Sequence, residues 1–390
     1  MKFIHLSDLH LGKRVNDYSM IEDQRYILDK IIGIIREEKP QAVLIAGDVY
    51  DKPIPPAEAV TLFDDFISEL AGLDLELFII SGNHDSAERL SFGSRIMDSR
   101  GIHFAGGFDG STRMFSLDDE FGKVNFYMLP FIKPVHVRAV LDAKYGEDAE
   151  KPEIKTFTDA VECAIDMMDI DESERNVLML HQFVTGAQRC ESEDVTIGGL
   201  DNVDAAVLEA FDYTALGHLH GPQNVGVPKI RYCGTPLKYS FSEVAHKKSV
   251  TIVELGEKKD GVCETDIRTV ELVPLRDLQE LRDTFAQLTD KYYYKDIKTD
   301  DYMRIILTDE EDVIGALASL RAIYPNIMRL EYDNQRTRTA AVMPDAMDSD
   351  ARTPLEIFAG LYREQNGRDM DEEQSKLISG LIEKVWSSEE

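Results

Sequence analysis

The sequence is poor in cysteine and contains no long apolar run, and each of these absences narrows the possible classes of protein. Four cysteines occur among 390 residues, and none belongs to a Cys-x-x-Cys pair. This pattern argues against a disulfide framework or a zinc–thiolate site and favours reduced thiols in a cytoplasmic protein. No apolar stretch approaches the ~20 residues that span a bilayer, so no membrane contact is expected. A signal peptide is not expected either, because the first apolar stretch meets Asp8 at once.

Positive charge is scarce as well. The chain has 43 Lys and Arg residues against 73 Asp and Glu residues, which gives a formal net charge of −30. A protein this acidic does not attract nucleic acid through its overall electrostatic field. Any polyanion that it handles must therefore be held by local features, by bound cations or by a basic partner.

The length predicts roughly two to three domains, with enough interior to fold without disulfides. Over residues 1–267, short apolar strands alternate with amphipathic helices. The five most apolar strands are predicted at Phe3–Leu6, Ala42–Ala46, Leu77–Ile80, Val177–Leu180 and Thr214–Leu216. Continuous apolar strands between helices predict α/β architecture, in which buried sheets are covered by helices.

The remainder of the chain divides into three predicted parts. Residues 268–335 are predicted to form a compact β-α-β-α-β unit. Its elements are the strand Arg268–Val273, the helix Leu275–Leu288, the strand Tyr302–Leu307, the helix Asp312–Tyr324 and the strand Ile327–Tyr332. Residues 336–353 carry scattered charge without periodicity, which indicates a linker. Residues 354–390 are predicted to form two amphipathic helices.

Polar residues that can bind metal ions follow each of the five apolar strands. They are Asp8, His10, Asp48, Asn83, His181, His218 and His220. Because sites assemble at the carboxyl ends of strands in α/β sheets, these side chains are expected at one edge. Oxygen and imidazole ligands without thiolate suit Mn²⁺, Fe or Zn²⁺. Seven ligands exceed what one ion with an open position needs, and they suit two ions ~3.5–4 Å apart that share a carboxylate.

Each motif taken alone has an ordinary structural explanation. An Asp-x-His sequence is usually a turn, Gly47-Asp48 is a common end of a strand, and His181 alone would be a buried core histidine. The joint pattern favours a site, because five of the nine histidines directly follow apolar strands. The remaining four are interpreted as structural or surface residues: His5, His103, His136 and His246.

The ordered set Asp-x-His, Gly-Asp, Gly-Asn-His-Asp, His and Gly-His-x-His resembles the signature of the calcineurin-like metallophosphoesterases. It extends over most of residues 8–220. More narrowly, residues 4–13, 46–51 and 81–86 are similar to the bacterial SbcD family of nuclease subunits. The stretches Cys233-Gly234-Thr235-Pro236 and Ser240-Phe241-Ser242-Glu243 are similar to that family too, with Thr235 in place of its serine. The resemblance implies a four-layer αββα sandwich, a small α+β capping domain and a C-terminal helical hairpin.

The resemblance also implies roles for the site residues. One ion would be held by Asp8, His10, Asp48 and His220, and the other by Asp48, Asn83, His181 and His218, with Asp48 bridging. His84 would face the scissile phosphate, where it would stabilise developing charge or protonate the leaving oxygen, and Asp85 would orient it. Phosphodiester cleavage needs a metal-activated water, charge neutralisation and a proton for the leaving group, so these roles are chemically consistent.

Further polar residues lie close to these motifs in the sequence. Lys13, Arg14 and Arg89 lie on loops that leave the motifs and would contact backbone phosphate, although solvated surface cations explain each of them equally well. Asp51 would hold the metal ligands in place by hydrogen bonds without binding an ion itself, or it would simply stabilise a turn.

By resemblance, the protein is a Mn²⁺-dependent DNA nuclease that forms a heterocomplex with an SbcC-like ATPase. The implied activities are ATP-stimulated 3′→5′ exonuclease action on double-stranded DNA and endonuclease action on single strands or hairpins, in repair, recombination and replication. The sequence has no Gly-x-x-x-x-Gly-Lys-Ser/Thr loop, so ATP would bind the partner. The alternatives are a small-molecule phosphodiesterase or phosphatase of the same fold and a non-catalytic scaffold subunit.

Two apolar surfaces are predicted to contact partners. A homodimer would use the helices after Pro56 and Asp85, although each apolar residue there would equally suit the core: Phe63, Phe66, Leu90, Phe92 and Ile96. The tail helices carry apolar rows that would bind the base of the ATPase coiled coil: Leu355, Phe358, Leu361, Leu377, Leu381 and Trp386. The alternative is that the tail folds back on its own domain.

Overall fold

The computed structural model describes residues 1–146, 150–188, 202–335, 337, 354–366 and 369–386. The chain divides into two compact units, Met1–Leu278 and Gln279–Glu390, which are described separately below. Apart from residue 337, the predicted linker lies outside the described residues. Within the part of the chain that is described, no helix is long and apolar enough to cross a membrane.

The first unit is built mainly from strands. In chain order these are β1 (Lys2–Leu6), β2 (Arg14–Val15), β3 (Tyr18–Ser19), β4 (Ala42–Ala46), β5 (Glu76–Ile80), β6 (Ile102–Ala105), β7 (Arg113–Asp119), β8 (Gly122–Leu129), β9 (Arg175–His181), β10 (Phe183–Val184), β11 (Asn202–Val203), β12 (Tyr213–Gly217), β13 (Gln223–Val225), β14 (Val227–Tyr232), β15 (Ser249–Lys259) and β16 (Val262–Glu271). The α-helices are α1 (Ile21–Glu38), α2 (Ala57–Ala71), α3 (Ala87–Leu90), α4 (Ser94–Met97), α5 (Pro134–Tyr145) and α6 (Phe157–Asp166). Three short 3₁₀ helices lie at Asp98–Arg100, Ala205–Leu208 and Phe241–Glu243.

Two six-stranded sheets form the centre of this unit, in the orders β16-β15-β1-β4-β5-β6 and β13-β14-β12-β9-β8-β7. The strands β1, β4, β5 and β6 run parallel, as do β8, β9, β12 and β14. One apolar cluster joins the facing sides of the two sheets, with Phe3 and Phe78 from the first and Phe126 and Val177 from the second. A second cluster packs α5 and α6 on the outer face of the second sheet. The predicted α/β sandwich is confirmed.

The local sequence explains why the main elements form. All five residues of β4 are buried apolar side chains, as expected for a strand covered on both faces. Helix α1 buries Ile27, Ile31 and Ile35 at a spacing of four, which produces one apolar stripe. It ends where Lys39 adopts a left-handed conformation directly before a proline.

The second unit contains a three-stranded sheet in the order β17-β18-β19. The strands are β17 (Leu278–Asp283), which begins at the last residue of the first unit, β18 (Tyr302–Leu307) and β19 (Ile327–Tyr332). The helices are α7 (Phe285–Leu288), α8 (Lys291–Tyr294), α9 (Ala316–Arg321), α10 (Pro354–Asn366) and α11 (Glu372–Trp386). Its core includes Leu281, Met303, Leu320 and Tyr324. Helices α10 and α11 contact each other.

One element predicted for the β-α-β-α-β unit is a strand of the first unit, and another is wrong. The predicted strand Arg268–Val273 overlaps the end of β16, which pairs with β15 in the first unit. The predicted helix Leu275–Leu288 is β17 followed by the single turn α7. Its sequence has the composition of a helix, but pairing with a neighbouring strand outweighs this weak preference.

Candidate active site

The predicted ligands come from strand ends in both central sheets. Asp8 follows β1, Asp48 follows β4 and Asn83 follows β5, whereas His181 is the last residue of β9 and His218 follows β12 directly. The carboxyl ends of these parallel strands meet where the two sheets face each other. The topology therefore concentrates polar side chains at one edge of an otherwise apolar sandwich.

Short distances join these side chains into one cluster. The Nε2 of His181 lies 3.3 Å from Oδ2 of Asp48 and 3.1 Å from Oδ1 of Asn83. The Nδ1 of His218 lies 3.0 Å from the same Asn83 oxygen. Three overlapping groups of side chains hold potential ligand atoms within 4.8 Å of one another: Asp8, His10 and His220; His10, Asp48 and His84; and Asp8, Asp48 and His181. The structure thus brings all seven predicted ligands together.

The donor set fits a pair of divalent ions. Both ring nitrogens of His10 are buried and have no hydrogen-bond partner among the described residues, although Nε2 lies 3.8 Å from Oδ2 of Asp48. A buried polar atom without a partner carries a desolvation cost that a bound cation removes. Two carboxylates, one amide oxygen and four imidazoles, with no thiolate, are suitable ligands for such ions.

Burial and mutual charge shift the pKa values in this cluster. Burial raises the pKa of Asp8 to about 6, and the nearby charge of Asp48 adds to that rise. Burial would also raise the pKa of Asp48, but the charge and hydrogen bond of His181 hold it well below its usual range. The pKa of His181 is raised to about 9, because Asp48 outweighs the opposing effect of burial. A carboxylate that stays ionised while buried attracts cations.

The backbone is strained at four of the predicted ligands. Asp8, His10 and Asp48 have φ values of 52°, 44° and 49°, and His218 has a φ value of 106°. Residues other than glycine seldom adopt this region, and such strain gathers at functional sites. Hydrogen bonds hold these conformations: the His10 N–H donates to the carbonyl of Asp48, and the His218 N–H donates to both carboxylate oxygens of Asp8.

Glycine is required beside this strained segment. Gly47 has a φ value of 91°, and a Cβ atom there would lie 2.2 Å from Nδ1 of His181. The Gly47-Asp48 pair is therefore more than an ordinary turn, because only the missing side chain lets His181 approach the loop after β4.

A buried glutamine and a tyrosine support the segment that contains His10, and the sequence analysis missed both. Gln24 donates from Nε2 to the His10 carbonyl at 2.7 Å and to the Tyr239 hydroxyl at 3.0 Å. The Tyr239 hydroxyl donates to the Leu9 carbonyl at 2.6 Å. A signal was present, because Gln24 lies in the same stripe of α1 as Ile27 and Ile31, where an apolar residue is expected.

His84 lies at the border between the cluster and solvent. Its backbone N–H donates to Oδ1 of Asp48 at 2.9 Å, and its ring Nδ1 lies 3.1 Å from the carbonyl oxygen of Asp51. Its side chain is 25% exposed, whereas that of Asp48 is 3% exposed. This position suits a group that meets a substrate beside buried ligands.

The Asp85 carboxylate contacts the backbone of two loops beside the site. Its carboxylate accepts backbone hydrogen bonds from Val49, Tyr50 and Gly82 at 3.1, 2.9 and 3.0 Å. It therefore fixes the loop after β4, whose Asp51 carbonyl faces the His84 ring. Orientation of His84 by Asp85 stays a prediction, and these contacts offer an indirect route for it through the loop after β4.

The three predicted phosphate-binding cations have protein partners. Lys13 Nζ lies 2.7 Å from Oδ1 of Asp51, and that oxygen lies 3.7 Å from Nδ1 of His10. Lys13 and Asp51 thus form an ion pair behind a predicted ligand. Arg14 donates to the carbonyl of Asp17, and Arg89 donates to the carbonyl of Pro53 at 2.9 Å. Both arginines are exposed, and DNA contact by Lys13 and the two arginines stays a prediction.

Two sequence profiles match this chain, and a solved structure is similar to it. A sequence profile of the calcineurin-like phosphoesterases matches residues 1–222. An SbcD-type profile, described as the type 5 capsule protein repressor C-terminal domain, matches residues 274–366. Among solved structures, a dimetal phosphatase from Danio rerio is similar, with 13% identity, a TM-score of 0.41, and coverage of 70% of this chain and 96% of that one. The resemblance seen in the sequence is confirmed: the chain belongs to the calcineurin-like phosphoesterase family and is a metal-dependent phosphoesterase of the SbcD type.

Proposed function

We propose that the chain is the DNA nuclease subunit of a complex with an SbcC-like ATPase, acting with two Mn²⁺ ions. Its reactions would be ATP-stimulated 3′→5′ exonuclease cleavage of double-stranded DNA and endonuclease cleavage of single strands or hairpins, in repair, recombination and replication. The observation that supports DNA over a small phosphoester is the second matched region, residues 274–366, because a minimal phosphatase needs no such region.

The clustered residues divide into two sets of ligands under this proposal. Asp8, His10, Asp48 and His220 would hold one ion, while Asp48, Asn83, His181 and His218 would hold the other. When bound, the two ions supply an activated water and neutralise charge on the phosphoryl oxygens. They also place positive charge where the net charge of −30 would otherwise repel DNA.

The chain itself supplies the proton for the leaving group. The Asp51 carbonyl accepts a hydrogen bond from Nδ1 of His84, which keeps that nitrogen protonated. Proton delivery to the leaving oxygen would come from Nε2 of the imidazolium form, in which both ring nitrogens carry a proton, and it would leave the neutral ring protonated at Nδ1. The hydrogen bond from the His84 backbone to Asp48 keeps the ring next to the carboxylate that both ions would share.

A direct assay tests the proposal against its alternatives. Purified protein is incubated with Mn²⁺, a labelled DNA hairpin and a chromogenic phosphodiester, with a chelator in the control. We expect cleavage of both substrates in Mn²⁺ alone. We expect no cleavage with chelator, because the reaction needs the water activated by the bound ions. Cleavage of the chromogenic ester alone would instead support a small-molecule phosphodiesterase. Cleavage of neither would support a scaffold subunit.

A homodimer is part of the same proposal, and the exposure of the five candidate residues supports one contact surface for it. Phe63, Phe66 and Leu90 are buried in the core, whereas Phe92 and Ile96 are 84% and 78% exposed. The contact proposed for the dimer is therefore the surface of α3 and α4 around Phe92 and Ile96, since exposed apolar patches mark interaction sites.

Phe92→Asp is expected to convert the dimer into a monomer, because a two-fold interface would bury two carboxylates in apolar surroundings. Light scattering at micromolar concentration measures the change. Val262→Asp is a matched control, since Val262 is also highly exposed but is the first residue of β16, next to the β15–β16 turn. A wild-type protein that is already monomeric, or an unchanged dimer after Phe92→Asp, would refute the proposed surface.

A further inference from the structure

A buried ion pair lies directly behind one of the predicted ligands. Oε1 of Glu243 is 3.2 Å from Nδ1 of His220, and the Glu243 side chain is fully buried at 0% exposure. Oε2 of the same carboxylate is 2.6 Å from Nζ of Lys248, whose side chain is 4% exposed. Glu243 closes the Ser240-Phe241-Ser242-Glu243 stretch, and the sequence alone predicts no role for it.

The Lys248 ammonium contacts both the Glu243 carboxylate and the backbone of His220. Besides the Glu243 carboxylate, Nζ donates to the backbone carbonyl of His220 at 2.9 Å and to Oγ1 of Thr235 at 2.6 Å. One ammonium therefore holds the His220 backbone directly and the His220 ring through Glu243. A change in the position of Lys248 would therefore affect both the backbone and the ring of His220.

Stability alone does not account for a pair of this kind. Removing two charges from water costs about as much as the pair regains, so apolar residues of similar volume usually serve a fold equally well. The geometry has a further consequence for His220. A carboxylate that accepts a hydrogen bond from Nδ1 leaves the lone pair of Nε2 available to a metal ion and fixes the plane of the ring.

We propose that Glu243 and Lys248 are positioning residues that orient His220 toward one of the two ions. The inference rests on the proposed two-ion site and extends it to residues that touch neither ion nor substrate. Lys248 holds Glu243, and Glu243 holds Nδ1 of His220. His220 belongs to a potential ligand group with Asp8 and His10, and Nε2 is the ring nitrogen that this arrangement would leave for an ion.

Lys248→Met tests this inference through metal binding. We expect affinity for one of the two Mn²⁺ ions to fall about 10–100-fold. This is the usual effect of removing a group that holds a metal ligand in place by hydrogen bonds. Calorimetry or electron paramagnetic resonance of a Mn²⁺ titration measures it. Lys238→Met is the matched control: Lys238 is also mostly buried and ion-paired, but its partners are Asp277 and the Val244 carbonyl. The control variant should bind both ions like the wild type.

A double variant separates positioning from stability. Lys248→Met alone leaves a buried carboxylate unpaired, so part of its effect could come from a damaged fold. Glu243→Leu combined with Lys248→Met removes both charges, and the His220 carbonyl keeps the Thr235 backbone N–H as a donor at 3.2 Å. We expect this variant to regain thermal stability while its affinity for one ion stays low. Wild-type affinity for both ions in the double variant would overturn the inference.

The same measurements keep this inference distinct from the proposed nuclease function. Mn²⁺ affinity and hydrolysis of the chromogenic phosphodiester are measured without DNA. A wild-type protein that hydrolyses the ester but not DNA would overturn the nuclease proposal and leave the role of Glu243 and Lys248 intact. Unchanged metal affinity in the double variant would overturn that role whatever happens to DNA.

Discussion

Replacing His84 with alanine is expected to lower phosphodiester cleavage about 10²–10⁴-fold, the usual contribution of one positioned acid–base group. The expected loss affects the rate of the chemical step and not the binding of metal ions or DNA. His84 meets solvent, whereas the predicted ligands Asp8, His10 and Asp48 are buried. The variant should therefore still bind two ions and should bind DNA with nearly normal affinity. Single-turnover cleavage, metal analysis and a DNA-binding titration measure these three properties separately.

Asp48→Ala provides the contrast for this experiment. The Asp48 carboxylate lies within 3.3 Å of the His181 ring and 3.8 Å of the His10 ring, so it links both predicted ligand sets. Its removal is expected to empty the site of both ions and to abolish cleavage. If metal analysis shows that His84→Ala also empties the site, His84 is a ligand and the proposed division of roles fails.

Removal of residues 354–390 is expected to abolish, or greatly weaken, association with the SbcC-like ATPase and to leave Mn²⁺-dependent cleavage by the nuclease unit largely intact. The tail helices pack on each other and still expose apolar side chains: Leu377 and Leu381 are 64% and 49% exposed, and Phe358 and Leu361 are exposed too. An apolar surface of this kind is suited to a helical partner such as a coiled coil.

Point variants give this prediction a sharper form. Leu377→Asp combined with Leu381→Asp places two charges in one i, i+4 row of α11 and should weaken association as strongly as truncation does. Lys376→Asp is the matched control, because it introduces the same side chain at an adjacent exposed position outside that row. Trp386→Ala should also weaken association noticeably, since large aromatics often dominate interfaces; its side chain lies outside the described residues. Co-purification of the truncated chain at unchanged affinity would place the interface elsewhere.

The location of the site could be predicted from sequence because its signals are local. Each apolar strand and the polar residue that follows it are adjacent in the chain, and the rules of α/β sheets bring such strand ends together. Asp8, Asp48 and His181 therefore meet as expected. The contacts of Asp85, Gln24 and Glu243 could not be predicted, since they depend on side-chain directions and on segments that are distant in the sequence.

In the second unit, the local sequence of β17 predicts the wrong element. The Leu-Gln-Glu-Leu-Arg-Asp sequence of β17 has apolar residues three apart and helix-forming neighbours, so its local pattern predicts a helix. Its actual state depends on β18, about 20 residues further along, beside which it lies in the sheet. A short segment whose partner is distant carries little information about that partner in its own sequence.

The pairing of β1 has a consequence for how the chain folds during synthesis. One side of β1 pairs with β4, but the other pairs with β15, with Lys2 opposite Glu254. At roughly 5–20 residues per second, the ribosome needs on the order of 12–50 s to make the ~250 residues between these strands. For that time an apolar strand at the centre of the future sheet has one unpaired edge, which can pair with other chains. Nascent chains are therefore expected to need shielding by chaperones until β15 has emerged.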